Sequence, residues 1–173
     1  MDREELRSIQ GPIKDRYRAN PESALVTLRA QSRMGEGVTC KIETGRALVE
    51  AGLHPATGGD GMSACSGDML LEALAACAGV TLAAVSTSLG IDIQQATIHV
   101  EGDLDFRGTL GVSKDVPVGF QKIRLRFELH SGASADDLET LIRLTERYCV
   151  VFQTLRTPPE LSITKEVTRT QRS

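Results

Sequence analysis

The chain has 173 residues with 20 basic and 23 acidic side chains, a formal net charge of −3, four Phe, two Tyr and no Trp. That length suits one domain with a core of its own. Near-balanced charge and scarce aromatics speak against a nucleic-acid partner, which needs a basic field and rings on which bases stack. The opening MDREELRSIQ is charged and has no apolar stretch of the kind that forms a secretory signal, so a cytoplasmic protein is expected.

Residues 1–20 read as a charged helical extension, one or two short helices broken at Gly11-Pro12, ahead of a domain spanning 21–173. From Ala24 the apolar period changes to two: Ala24, Val26, Leu28 and Ala30 alternate with Leu25, Thr27, Arg29 and Gln31, as in a half-buried strand. A glycine turn over Met34–Gly37 then leads to Val38, Cys40 and Ile42 on one side of a second strand, with Cys40 facing inward. A third short strand follows over Arg46–Ala51. The loop HPATGGDGMSACS, His54 to Ser66, is rich in glycine but has neither the GxGxxG spacing nor the lysine of a P-loop, which excludes the usual nucleotide sites.

The next stretch, Ser66–Leu89, is the most apolar run in the chain. It predicts a long buried helix capped by Ser63 or Ser66, with Asp68 in its first turn. At 100° per residue Leu70, Ala73, Leu74, Val80, Thr81 and Ala84 share the face of Cys77. Ala75, Gly79 and Ala83 make a stripe of small residues suited to a close helix neighbour. A membrane span is the competing reading of Met69–Leu89, and Glu72 and the late Ser/Thr residues favour a buried soluble helix. No membrane partner is expected.

After Gly90, Ile98, Val100 and Leu104 alternate with Thr97, His99, Glu101, Asp103 and Asp105. The expected partner strand, Lys122–His130, places Lys122, Arg124 and Arg126 opposite those acids, so charge should help set the register. Ser134 opens a second long helix in capping-box fashion, with Leu138, Leu141, Ile142, Thr145, Cys149 and Phe152 inward and a break near the β-branched Val150 and Val151. Thr157-Pro158-Pro159 ends it, and Leu161–Val167 reads as a last strand. The fold class is α+β: a mostly antiparallel sheet packed on two long helices. An apolar helix that one subunit struggles to cover points to an intertwined homodimer.

Cys40, Cys65, Cys77 and Cys149 show no CxxC spacing, and His54, His99 and His130 stand apart. Neither a disulfide framework nor a zinc site is expected, and no cofactor. Cys65 sits near a helix start, where a thiolate is stabilised, and is a secondary candidate. Cys77 and Cys149 differ from the rest in lying on the inward stripes of the two principal helices. If those helices pack, the thiols meet, and two meeting thiols in a reducing compartment suggest redox turnover. One must then be a thiolate against the cost of burial, which calls for a nearby cation: Arg29, Arg33, Arg143, Arg147 or Arg156.

The runs SGDMLLEALAACAGV and ERYCVVFQTL resemble the two signature segments of the OsmC/Ohr family, the osmotically inducible and organic-hydroperoxide-resistance proteins, over about residues 20 to 167. The resemblance implies an OsmC-like intertwined homodimer that reduces organic hydroperoxides or hydrogen peroxide with two cysteines. In that scheme Cys77 is the peroxidatic thiolate, Cys149 the resolving thiol, and an external dithiol the reductant. It also implies an activating Arg, matched by Arg33, and an acidic residue before the central helix, matched by Asp68 where a glutamate is usual. Nine residues put Asp68 on the opposite helix face, about 13 Å along the axis from Cys77, so it can act only through a group brought between them. The alternative class is a non-catalytic, stress-related or small-hydrophobe-binding dimer of the same fold.

Overall fold

The computed structural model describes residues 2–20, 31–34, 39–44, 47–111 and 113–167. The elements run α1 (Arg3–Ala19), β1 (Gln31–Met34), β2 (Thr39–Thr44), β3 (Ala47–Gly52), β4 (Ala64–Cys65), α2 (Ser66–Leu89), β5 (Gln95–Asp103), α3 (Phe106–Thr109), β6 (Lys122–His130), α4 (Ala135–Tyr148) and α5 (Val150–Arg156). The fold is α+β, as the sequence pattern predicts. Among the described residues the strands form two sheets, ordered β1-β2-β3-β4 and β5-β6, in which the short β3–β4 pair is parallel and the others antiparallel. The expected strand over Ala24–Ala30 and the turn beyond Met34 lie outside the described residues, as does the side chain of Cys40.

The two-stranded sheet follows its charge pattern. Ile98, Val100 and Gly102 sit opposite Phe127, Leu125 and Ile123 on one face, and His99, Glu101 and Asp103 sit opposite Arg126, Arg124 and Lys122 on the other. On that outer face Arg124 binds Glu101 and Asp103, while Glu128 takes His99 and Arg126. Gly102 is where a side chain would not fit: a Cβ there would come within 2.5 Å of the Phe120 ring.

The inner face packs on α2. Leu74, Ala78, Leu82 and Ser86, one per turn, are the buried residues of α2. Leu74 and Ala78 join Cys149 in a cluster flanked by Ile98, Val100, Leu125 and Phe152, and burying a leucine such as Leu74 contributes about 2 kcal/mol. The face expected to be shared with Cys77 is therefore split, with Leu74 inside while Val80 is 73% exposed. Gly79, expected to admit another helix, instead admits the sheet: a Cβ there would lie 3.6 Å from Ile98 Cδ1. α2 is long and apolar enough to cross a membrane by length and composition, yet its buried stripe packs against protein.

Three local expectations are corrected. α1 runs unbroken through Pro12, although Pro inside a helix costs about 3 kcal/mol. Its start is secured by a reciprocal box, with Asp2 N donating to Glu5 Oε2 and Glu5 N to Asp2 Oδ1, at 2.9 and 2.8 Å. α2 is capped by neither serine. Cys65 holds the N-cap position and makes no side-chain cap bond, while Gly90, at φ 73°, closes the other end. Leu161–Val167 forms no strand within the chain. It leaves α5 past Pro158 as an exposed segment without secondary structure, with Leu161, Ile163 and Val167 largely in solvent; an alternating pattern makes a strand only where an edge is present to pair with it.

Candidate functional site

The site is built where α4 breaks. Ser134 caps α4 by accepting the N–H of Asp137 at 3.2 Å, and the helix runs to Tyr148. At Cys149 ψ becomes 105°, so this residue ends α4 and begins α5. The β-branched pair that follows starts a new helix, Val150–Arg156. That geometry turns the free N–H groups at the start of α5 back toward α2, where Cys77 waits at mid-helix.

Cys77 is half-buried and Cys149 buried, both as free thiols, and they pack against one another. Burial acts to raise the Cys77 pKa, but four groups around its sulfur favour the thiolate and hold it below the ordinary value. They are the N–H of Val151, the thiol of Cys149, the hydroxyl of Thr81 and the N–H of Val150. Thr81 has one proton, and Oγ1 spends it on the Cys77 carbonyl at 2.7 Å, so the amides and the neighbouring thiol carry most of the effect. Cys149 is pushed the other way. Burial raises its pKa, the N–H of Phe152 opposes this, and the Cys77 sulfur, accepting the Cys149 proton, raises it further. The pair thus has one thiol held toward the thiolate and one kept protonated as its hydrogen-bond donor.

Of the other predicted site residues, Asp68 stands apart from Cys77. Asp68, in the first turn of α2, lines a cavity of about 360 Å³ with His54, Cys65 and Phe106, on the far side of the helix from Cys77. Arg33 is on β1, paired with Lys41, and its side chain lies outside what the structure describes. Among the other arginines expected to supply a cation, Arg156 is bound to Glu146 and Arg147 stacks over the Tyr148 ring. The donors at Cys77 that sequence reasoning missed are backbone amides. Among the described residues, no group of three or more His, Cys, Asp and Glu could hold a metal ion.

A model of the OsmC-like protein family matches residues 58–164, which carry both thiols and both helices. The chain belongs to the OsmC-like family. Solved structures share its fold. An OsmC-like protein from Mycoplasma pneumoniae superposes with a TM-score of 0.64 at 20% identity, over 77% of this chain and 89% of that one. An organic hydroperoxide resistance protein from Legionella pneumophila gives 0.60 at 18%, over 77% and 91%, and one from Elizabethkingia anophelis 0.61 at 18%, over 78% and 91%. No curated protein matches the sequence.

Proposed function

We propose that this OsmC-like protein is a cytoplasmic thiol peroxidase that reduces organic hydroperoxides, or hydrogen peroxide, through Cys77 and Cys149. The observation that carries the reading is the opposite displacement of two touching thiols, Cys77 toward thiolate and Cys149 toward thiol. The Cys77 thiolate attacks one peroxide oxygen, the O–O bond breaks, and the leaving alkoxide takes a proton to become the alcohol. Cys77 is left as a sulfenic acid. Cys149 then loses its proton and attacks that sulfur, the S–O bond breaks, and the hydroxide released takes up that proton as water, giving a Cys77–Cys149 disulfide that an external dithiol returns to two thiols by exchange. Relatives described as organic hydroperoxide resistance proteins support the substrate class.

The working unit we propose is a homodimer. α2 leaves Ala73, Ala76, Val80 and Ala83 exposed along one side, and a stripe of this kind on a helix is covered by another chain. Asp68 enters the site in this reading only through Arg33, brought between it and Cys77 by its own loop or by the partner subunit, since within one chain Asp68 faces away from Cys77. Sedimentation should give twice the chain mass for the wild type and the single-chain mass for Ala76→Glu.

The chemistry is tested by treating the reduced protein with cumene hydroperoxide and looking for the Cys77–Cys149 disulfide by mass spectrometry. Cys149→Ser should instead accumulate a sulfenic acid at Cys77, trapped by dimedone. Equal, slow peroxide consumption by wild type and Cys77→Ser would defeat the reading.

A further inference from the structure

An α-helix bonds each N–H to the carbonyl four residues back, so a helix running through Cys149 would join the Val150 N–H to the Glu146 carbonyl. The chain makes a different pairing at this point. Cys149 takes φ −71° and ψ 105°, ending α4 while its own N–H still reaches the Thr145 carbonyl at 2.9 Å. The Val150 N–H is thereby turned onto the Cys77 sulfur, with the Val151 N–H beside it. Glu146 loses its helical donor, and a half-buried carbonyl left unpaired is destabilising. Gln153 fills the place. Seven residues further on, its Nε2 donates to the Glu146 carbonyl at 2.8 Å. α5 has only seven residues and none is fully buried, too short a helix to hold its own direction without ties to its neighbours.

We propose that Gln153 is a positioning residue for the dithiol: by giving the Glu146 carbonyl a substitute donor, it holds the break at Cys149 and keeps the Val150 and Val151 amides on Cys77. The proposal deepens the peroxidase reading above and rests on it only for the use made of the thiolate. Gln153 is not among the donors at either sulfur, so it acts through the backbone. Without it, the Val150 N–H returns to Glu146, α4 and α5 join, and Cys77 loses its amides. A second tie crosses the same break, from Arg156 to the Glu146 carboxylate. That pair is 61% and 43% exposed, where an ion pair contributes little.

Gln153→Met keeps the length of the side chain and removes its N–H. On the reduced full chain, the pH midpoint of Cys77 alkylation by iodoacetamide should rise. At pH 7 the rate should fall about fourfold, since losing one hydrogen bond to a charged sulfur lowers the thiolate fraction about tenfold and the more basic thiolate recovers about 2.5-fold in nucleophilicity. Arg156→Gln, which cuts the outer tie alone, should leave the midpoint in place. Val150→Pro gives the deciding comparison. Proline suits the first position of a helix and the extended backbone of Cys149 before it, and it has no N–H to return to Glu146. It therefore holds the break by itself, while raising the midpoint through the loss of one donor. In that background Gln153→Met should add less than half the shift it produces alone. An equal shift in both backgrounds would make Gln153 a general contributor to stability and overturn the proposal. An unmoved midpoint in Gln153→Met, or an equal shift from Arg156→Gln, would also overturn it. If Gln153→Met alone fails to fold by circular dichroism, the double variant decides: a folded protein with the Val150→Pro midpoint supports the exchange at Glu146, and an unfolded one removes it. None of these readings needs turnover, so a wild type that consumes no peroxide would end the peroxidase reading and leave this one to its midpoints.

Discussion

Cys65 and Cys77 stand twelve residues apart along α2, about 18 Å along the axis, and both are half-buried. Cys65 has the position usually associated with a reactive thiol, at the start of a long helix and beside a formed cavity shared with His54 and Asp68. Cys77 has neither. It lies in the middle of the helix, yet it is the one whose sulfur meets a second thiol and the amides of Val150 and Val151. The contrast separates two things often read together. A helix terminus and a cavity are features of shape, whereas a two-thiol cycle needs donors on one sulfur and a partner within reach of it.

Swapping each thiol for an alcohol gives the largest expected contrast. Cys77→Ser should bring hydroperoxide consumption down to background, while Cys65→Ser should keep the wild-type rate, both read by peroxide loss under excess dithiol. A Cys65 variant as inactive as the Cys77 one would erase the distinction between the two ends. A smaller contrast is one of stability. Leu74, 1% exposed, anchors the Cys77 end of α2 in the core, and Leu74→Ala should cost about 2–5 kcal/mol in denaturant unfolding at fixed protein concentration. Leu70, one turn earlier and 38% exposed, should cost well under half as much when changed to alanine.

The sequence made the α2 end of this comparison legible and much of the rest illegible, for identifiable reasons. An unbroken apolar run closed by Gly90 locates α2 at Ser66–Leu89, and the alternating charges of β5 and β6 set their pairing, because each signal is local. The break at Cys149 follows from two adjacent β-branched residues. The meeting of Cys77 with Cys149 could be read as a consequence of two inward stripes. What holds Cys77 toward the thiolate could not: a search by residue type looks for an arginine, and a backbone N–H has no letter of its own. Its direction comes from one ψ angle at Cys149. α1 was misread because Gly11-Pro12 is a local stop signal overridden by the helix around it. Leu161–Val167 was misread for the opposite reason, since its strand pattern is local but a strand needs a partner edge.

The finest test of the comparison asks which donors set the Cys77 thiolate. The rate of Cys77 alkylation by iodoacetamide, followed on its own peptide by mass spectrometry, tracks the thiolate fraction with pH. In the wild type its midpoint should fall below the ordinary thiol value of about 8.5, because the groups around the sulfur stabilise the charged form more than burial disfavours it. Removing the Cys149 S–H takes away one donor and leaves the Val150 and Val151 amides in place. Cys149→Ala should therefore shift the midpoint upward, and Cys149→Ser, which keeps a donor in hydroxyl form, should shift it less. An alanine variant with an unmoved midpoint would mean that the amides alone set the thiolate and that Cys149 serves only to form the disulfide. A midpoint as high as that of a free thiol would mean that the S–H is the dominant donor and that the turn of α5 toward α2 matters chiefly for bringing Cys149 into place.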